Sequence, residues 1–408
     1  MAQKSLKKNA FYNFARSFLN LIFPIISFPY ASRILLPAGI GKVNFANSII
    51  DYFILIAGLG IGAHAAREGA RVRDDKHALN KLAREITLIN FASTLVAYLL
   101  LAVTFLWVDK LNDYRMLLIV CSTKILFTTI GFNWLYTAEE EYRYITIRSF
   151  FFQLLSLAFL FIFVKGPDDY LWYAGMGVLS NVGSNICNFF YARKFINLLE
   201  KTKLEIKKHL TPIFLFFGMA CATKVQSALD AVMLGFMTGD TSVGYYSAAQ
   251  KIKTMVAQLI TAIIGTLMPR SSWYLEHKDL KAYDEIVGKA ANITFFFAIP
   301  STFGIIAVSK PLILAFSGEA YLPALHAMWV LAPSIITISF TSFINNVILT
   351  PNRLERFTLQ AEIIGSILNI ALNALLIPQW DYFGASVATM IAELTIMLCM
   401  QMVVPGGQ

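Results

Sequence analysis

Ionisable side chains interrupt the long apolar runs of this 408-residue chain. Charge is costly in an apolar environment, so each of these side chains marks a candidate functional site. An ammonium or guanidinium group at such a position can replace the hydration that an anion such as phosphate loses. The candidate anion-binding residues lie well inside their runs: Arg16, Lys124, Lys224, Lys251 and Lys253.

Other basic residues lie nearer the ends of apolar runs. A long side chain there can extend its charged end into water, and this snorkelling is the favoured interpretation for Arg33, Lys42, Arg148 and Lys310. For Lys251 and Lys253 both interpretations stay open.

A second group of polar residues offers oxygen atoms as possible ligands. Asp230 lies in one apolar run, Asn369 and Asn373 share one helix face at a spacing of four residues, and Thr389 follows in the next run. One carboxylate with amide and hydroxyl oxygens suits a hard monovalent cation or a proton relay. Ordinary hydrogen bonding between membrane helices is the alternative for the same residues.

Cysteine and histidine supply no further chemistry in this sequence. The four cysteines are widely spaced inside apolar runs and form no CxxC, and the five histidines form no metal-binding pattern. No pairing of a nucleophile with a base is visible either, so the sequence favours a protein that is not an enzyme.

The elements that position these residues are predicted to be membrane helices. Hydrophobic residues make up 57% of the chain, charged residues only 14%, and the mean hydropathy is +0.60. A soluble domain of this size could not bury so much apolar surface. Twelve windows of spanning length can be drawn, at about 10–35, 40–66, 86–108, 114–137, 144–164, 170–192, 212–237, 243–268, 291–316, 322–349, 357–377 and 382–404.

The distribution of lysine and arginine predicts the orientation. Twenty-two of these residues lie in the amino-terminal segment and in every second loop, whereas the opposite loops hold only Lys110 and Lys165. By the positive-inside rule, both termini are expected in the cytoplasm. Because the basic residues are spread over six segments, the net charge of +9 does not indicate nucleic-acid binding.

An internal repeat predicts two halves. A shift of 203 residues places Gly41, Gly62 and Arg67 on Gly244, Gly265 and Arg270, and a shift of 213 places further identities in register. The unit of six spans preserves orientation, so the prediction is two parallel six-helix bundles, residues 1–200 and 201–408. Transporters commonly carry substrate between such repeats.

The glycine run after residue 57 could be mistaken for a nucleotide-binding turn. Gly58, Gly60 and Ala63 match a relaxed G-x-G-x-x-A fingerprint, which requires a preceding strand and a soluble βαβ unit. The run instead ends an apolar window. We predict that Gly58, Gly62 and Ala66 form a small-residue stripe for close helix packing.

Several stretches resemble one family of transporters. They include "SLKKNAFYNF", "SRILLPAGIGKVNFANSI", "GLGIGAHAARE" and, above all, "LNIALNALLIPQWDYFGASVATMIAELT". These are similar to Wzx-type O-antigen flippases of polysaccharide biosynthesis, in the multidrug/oligosaccharidyl-lipid/polysaccharide (MOP) exporter superfamily.

The resemblance implies an all-α integral membrane protein with about twelve spans in two bundles around a central cavity. It implies alternating access and transfer of an undecaprenyl-pyrophosphate-linked oligosaccharide across the bacterial inner membrane, in lipopolysaccharide or related polysaccharide biosynthesis. It further implies Na⁺ or H⁺ as coupling ion, no other cofactor, and the polysaccharide polymerase and assembly machinery as partners. Asp230, Asn369, Asn373 and Thr389 resemble the sodium site of lipid II flippases in the same superfamily.

Two other functions stay open from the sequence. A multidrug antiporter of the same superfamily would share the fold but would need an acidic cavity, which the excess of intramembrane cations disfavours. A membrane-embedded glycan polymerase or ligase usually carries a large outward loop with reactive residues, and the outward loops here are short.

Overall fold

The structure, a computed structural model, describes residues 6–200 and 203–404, and every regular element in those ranges is helical. The first seven α-helices of the chain are α1 Leu6–Gly58, α2 Ile61–Val72, α3 Lys76–Trp107, α4 Arg115–Thr129, α5 Asn133–Ala138, α6 Tyr142–Phe163 and α7 Tyr170–Ala192. The remainder are α8 Lys207–Met237, α9 Asp240–Gly265, α10 Met268–Glu276, α11 Leu280–Ala307, α12 Ser309–Phe316, α13 Ala324–Leu331, α14 Ser334–Phe343 and α15 Glu355–Val403.

All twelve apolar windows fall on helices. Seven stretches within the described ranges are long and apolar enough to cross a membrane. Two of them, Ala15–Val72 and Glu355–Val403, each contain two of the predicted windows, so the seven stretches cover nine windows. The other three windows fall on α4 with α5, on α7 and on α8. The prediction of an all-α, multi-pass membrane protein is therefore confirmed.

Both doubled stretches contain a backbone kink. In α1 the kink is at Leu36 (φ 59°, ψ 175°), directly before Pro37, where the proline ring excludes the helical conformation of the preceding residue. In α15 the kink is at Asp381 (φ 54°, ψ −136°), three residues after Pro378. These breaks allow one continuous apolar segment to supply two membrane helices.

The chain forms two compact units. The first contains the residues up to Leu35 together with Lys42–Lys224, and the second contains Leu36–Gly41 together with the residues from Val225 onward. In the first unit α7 packs against α4 and α6, and the short helix α2 packs against α3 and α5. In the second unit α9 packs against α13 and α14, and α11 packs against α14.

The second unit contains a closely packed helical hairpin within α15. A Cβ atom added to Gly384 would lie 2.3 Å from the carbonyl oxygen of Leu376, and one added to Gly365 would lie 2.3 Å from the side chain of Ile396. The two segments of α15 on either side of Asp381 therefore lie against each other. Residues far apart along α15, such as Asn373 and Thr389, can consequently reach one site.

The glycine run has a different role from the predicted one. A Cβ atom at Gly58 or Gly62 would meet nothing within 4 Å, so the expected small-residue stripe is wrong. The required glycine is Gly60. Gly60 lies between α1 and α2 with a left-handed backbone conformation (φ +70°). A Cβ atom at this position would lie 2.5 Å from the backbone nitrogen of Phe217. Since no strand precedes it, the nucleotide-binding alternative is excluded.

The connection between α7 and α8 is held against α3 by polar contacts. Glu85 of α3 is fully buried and accepts hydrogen bonds from the backbone nitrogen of Glu205 (2.6 Å) and from Nε2 of His209 (2.8 Å). The other ring nitrogen of His209 contacts His64 of α2 at 2.8 Å. Burial of Glu85 and His209 is offset because both have polar partners.

Candidate functional site

A buried carboxylate forms the centre of a polar cluster in the second unit. Asp230 of α8 is 4% exposed. Its Oδ1 accepts a hydrogen bond from Nδ2 of Asn373 at 2.6 Å, and its Oδ2 accepts from the hydroxyl of Tyr246 at 2.5 Å and from Thr389 at 2.9 Å. Three helices, α8, α9 and α15, thus converge on one carboxylate.

Asn369 completes this polar cluster. Its Oδ1 accepts a hydrogen bond from Nδ2 of Asn373 at 3.1 Å, as expected for residues four apart on one helix. The structure therefore brings together Asp230, Asn369, Asn373 and Thr389, the set selected from the sequence, and adds Tyr246 to it. We refer to these five residues as the polar cluster.

The polar cluster contains more acceptors than its own donors satisfy. Within the described residues, the three hydrogen-bond partners of Asp230 are neutral groups, so no basic side chain compensates its charge. Oδ1 of Asn373 is buried and has no hydrogen-bond partner. A buried anion beside an unused amide oxygen is a suitable environment for a monovalent cation or a proton. No group of three or more His, Cys, Asp or Glu residues that could hold a metal ion occurs in the described ranges.

A buried ion pair lies next to the polar cluster, on the faces of α9 and α15 that carry Tyr246 and Thr389. Nζ of Lys253 on α9 lies 2.9 Å from Oε1 of Glu393 on α15, and the lysine side chain is 1% exposed. Glu393 follows Thr389 by one helical turn, and Lys253 follows Tyr246 by two. Because Lys253 is neutralised by a carboxylate, it is less available to an anionic ligand than the sequence suggested.

A row of polar residues lies in the first unit. Asn47 and Asp51 are one turn apart on α1; Asn47 accepts a hydrogen bond from Nζ of Lys124 on α4 at 2.5 Å. Asp51 pairs with Nζ of Lys224 on α8 at 2.6 Å, with 38% of the aspartate and 30% of the lysine side chain exposed. The hydrogen-bond partner of Lys124 is thus a neutral amide. We call Asn47, Asp51, Lys124 and Lys224 the basic row.

The two other predicted cations are Arg16 in the first unit and Lys251 in the second. Arg16 is half-buried on α1. Lys251 is half-buried on α9 in the second unit. Of the five basic residues selected from the sequence, Lys124 and Lys224 both contact residues of α1.

Three of the residues interpreted as snorkelling lie near polar or aromatic groups. Nζ of Lys42 lies 4.9 Å from the centre of the Tyr170 ring, and Arg33 donates a hydrogen bond to the carbonyl of Pro29 at 3.1 Å. Arg148, by contrast, points inward, where its guanidinium donates a hydrogen bond to Oδ1 of Asn188. The interpretation of Arg148 as a snorkelling residue is therefore wrong.

The fold defines the class of protein. The structure resembles the lipid II flippase MurJ in its inward closed conformation, with a TM-score of 0.76 over 97% of this chain and 87% of that chain at 16% identity. It also resembles an inward-facing multidrug resistance MATE family transporter of the MOP superfamily, with a TM-score of 0.64 over 98% of this chain and 95% of that chain at 14% identity. The protein therefore has the multi-pass helical fold of MOP transporters.

Sequence comparison then gives the family. A family model described as polysaccharide biosynthesis protein matches residues 6–274, more than half of the chain. The chain belongs to this polysaccharide biosynthesis protein family. A protein of Escherichia coli strain K12 assigned as an O-antigen transporter is 22% identical over 99% of this chain and 98% of its own length. The resemblance to Wzx-type flippases is confirmed, and these relatives are named for transport and not for catalysis.

Proposed function

We propose that the protein flips an undecaprenyl-pyrophosphate-linked oligosaccharide from the cytoplasmic to the periplasmic leaflet of the bacterial inner membrane. The observation that carries the proposal is the full-length similarity to a protein assigned as an O-antigen transporter. The fold shared with a lipid II flippase supports the same class of cargo.

The basic residues supply the chemistry that such a cargo requires. A pyrophosphate leaves water at high cost unless hydrogen-bond donors with positive charge replace its hydration. In this proposal Arg16 and Lys124 meet the pyrophosphate first, because Arg16 lies well inside its apolar run and the described contact of Lys124 is with a neutral amide. Lys224, Lys251 and Lys253 contribute when the conformation changes, and the polyprenol tail stays in the lipid.

The polar cluster is proposed as the coupling site for Na⁺ or H⁺. Asp230 provides the charge, while Asn369, Asn373 and Thr389 provide neutral oxygens, and Tyr246 orients the carboxylate. Occupation of this site by a cation would favour one state of an alternating-access cycle. In this proposal both termini lie in the cytoplasm, and a polysaccharide polymerase and assembly machinery take over the cargo on the periplasmic side.

A multidrug antiporter is the second candidate, because the fold is also that of a MATE family transporter. In that case a buried acid such as Asp230 would bind a cationic drug. The two candidates differ in the phenotype of a deletion strain. Loss of an antiporter raises drug susceptibility and leaves the surface glycan unchanged, whereas loss of a glycan flippase removes the surface glycan.

Complementation tests the proposal. A strain lacking this gene should lose its surface polysaccharide and accumulate lipid-linked oligosaccharide, and the wild-type gene should restore display. Arg16→Glu and Lys124→Glu should fail to restore display although the protein is inserted at normal levels. Lys289→Glu, at an exposed position, is the matched control. Normal display in the deletion strain, or full complementation by both charge reversals, would contradict the proposal.

A further inference from the structure

A basic groove lies between α6 and α7 in the first unit. Its volume is about 600 Å³, and three of its lining residues are the cations Arg143, Arg148 and Lys194. The carboxylate in this lining is Glu141, which precedes the first residue of α6. The groove therefore has an excess of positive charge at the end of two helices that are predicted to cross the membrane.

Arg148 lines this groove, and its contacts within the described part of the chain are with an amide and an aromatic ring. Its guanidinium donates a hydrogen bond to Oδ1 of Asn188, and Nδ2 of Asn188 in turn donates to Oδ1 of Asn133 at 3.0 Å. Nε of Arg148 is buried without a hydrogen-bond partner, and the described contacts of Arg148 include no carboxylate. Arg16 adds a like charge from α1. A guanidinium held in this way has unused donors and is stabilised by an anion.

The walls of the groove change from aromatic to apolar along α6. Tyr144 and Tyr191 stack with ring centres 4.0 Å apart, and the guanidinium of Arg148 lies 5.6 Å from the centre of the Tyr144 ring. Further along α6, Ile147 is 55% and Phe151 is 59% exposed. Basic and tyrosine residues at one end and exposed apolar residues along a membrane helix match a lipid, with its phosphate at the basic end and its chain along the helix.

We propose that this groove binds the phosphate group of a membrane lipid, with Arg148 at its base and Arg143 and Lys194 at its rim. The required chemistry is an anionic phosphate attached to a hydrocarbon chain. Two sources supply it: an anionic phospholipid of the bilayer, and a polyprenyl pyrophosphate. Binding by this groove does not depend on the proposed function, because either lipid satisfies the three cations.

Native mass spectrometry of the purified full-length chain tests the proposal with four probes. Phosphatidylglycerol and undecaprenyl pyrophosphate carry both chemical features, diacylglycerol lacks the phosphate, and inorganic phosphate lacks the chain. We expect either phosphate-bearing lipid to bind at least about tenfold more tightly than diacylglycerol, since charge-assisted hydrogen bonds are the strong ones. Tighter binding of phosphatidylglycerol identifies a bilayer lipid as the occupant, and tighter binding of undecaprenyl pyrophosphate identifies the pyrophosphate lipid.

Variants locate the binding in the groove. Arg148→Gln should weaken lipid binding by about tenfold or more, and the surface variant Arg143→Gln/Lys194→Gln should do the same without a buried change. Lys76→Gln/Arg270→Gln, two exposed positions outside the groove, should bind like the wild type. Cys187 lines the groove and is exposed, so bound lipid should also slow its labelling by a maleimide, read by peptide mass spectrometry.

Three results would overturn the proposal. The first is equal binding of diacylglycerol, which would make the phosphate irrelevant. The second is equal binding of inorganic phosphate alone, which would make the lipid irrelevant. The third is unchanged lipid binding and unchanged protection of Cys187 in a correctly folded Arg143→Gln/Lys194→Gln variant.

Discussion

Substitution of Asp230 by asparagine separates ion coupling from simple helix packing. The amide can keep its oxygen toward Nδ2 of Asn373 and turn its nitrogen toward the hydroxyls of Tyr246 and Thr389. Thr389 retains its hydrogen bond to the carbonyl of Ala385 at 2.8 Å. The Asp230→Asn variant should therefore fold.

The expected loss of stability is modest. Hydrogen bonds to a charged group contribute about 1.5–3 kcal/mol each and neutral ones about 0.5–1.5 kcal/mol. Three bonds are weakened, but the neutral amide avoids the desolvation cost of a buried carboxylate. We expect a net loss of about 1–3 kcal/mol in the free energy of unfolding.

The functional loss should be larger. One coupling charge supplies about 2.3 kcal/mol at a potential of 100 mV, which corresponds to a roughly 50-fold change in the accumulation ratio. Thermal denaturation in Na⁺ and in K⁺ at several pH values should show cation- or proton-dependent stabilisation of the wild type and none in Asp230→Asn. Transport in proteoliposomes should lose its response to the gradient.

Two results would refute the role of the polar cluster in ion coupling. If the denaturation temperature of the wild type depends on neither the cation nor the pH in any way that Asp230→Asn removes, the cluster binds no coupling ion. The same conclusion follows if Asp230→Asn keeps the full gradient response. Asn369, Asn373, Thr389 and Asp230 would then serve as hydrogen bonds between helices. Thr389→Ser, which keeps the hydroxyl, is the matched control and should behave as the wild type.

Three further predictions follow from the packing and the charges. Lys253→Met should cost about 3–5 kcal/mol by leaving Glu393 unpaired, and Lys253→Met/Glu393→Leu should recover part of that loss. A double-mutant cycle of denaturation measurements on Lys253→Met, Glu393→Leu and the double variant measures this coupling, and an additive cycle would contradict the pairing. Gly41→Ala should prevent normal folding, because its Cβ would lie 1.7 Å from the carbonyl oxygen of Asp240. The Cβ of Gly58→Ala would meet nothing within 4 Å, so this variant should express normally. Equal yields of the two variants in fluorescence-detected size exclusion would refute this difference. The hydrogen bonds from Lys81 and Lys208 lower the pKa of Glu205. Its contribution to stability is therefore complete above the unfolded pKa of about 4.3 and disappears as the pH falls through the lower folded pKa. The small difference in melting temperature between wild type and Glu205→Gln should shrink on acidification, and a difference that grows would contradict the assigned contacts.

The sequence predicted the helices well because apolar length is a local property. It also predicted four of the five residues in the polar cluster, since polar residues are rare in membrane helices and Asn369 and Asn373 share a helix face. Tyr246 was missed because tyrosine commonly lies at membrane interfaces, and nothing in its own helix indicates a partner on α8.

The pairing of charges could not be predicted from spacing. Lys224 and Asp51 are 173 residues apart, and Lys253 and Glu393 are 140 residues apart, so only the tertiary packing brings them together. The one usable signal was the four-residue spacing of Thr389 and Glu393, which places both on the face of α15 that meets α9. The glycine run was misread because a stripe of small residues and a turn that needs one positive φ look alike in sequence.

Flipping in proteoliposomes tests the central claim most directly. The purified chain is reconstituted with an undecaprenyl-pyrophosphate-linked oligosaccharide that carries a fluorophore on the glycan, and a membrane-impermeant reductant then quenches the fluorophores on the outer surface. We predict that the wild type exposes inner-leaflet fluorophores to the reductant, that the imposed ion gradient sets the rate, and that Lys124→Glu abolishes it. Quenching limited to the outer leaflet, as in protein-free vesicles, would contradict the proposed function.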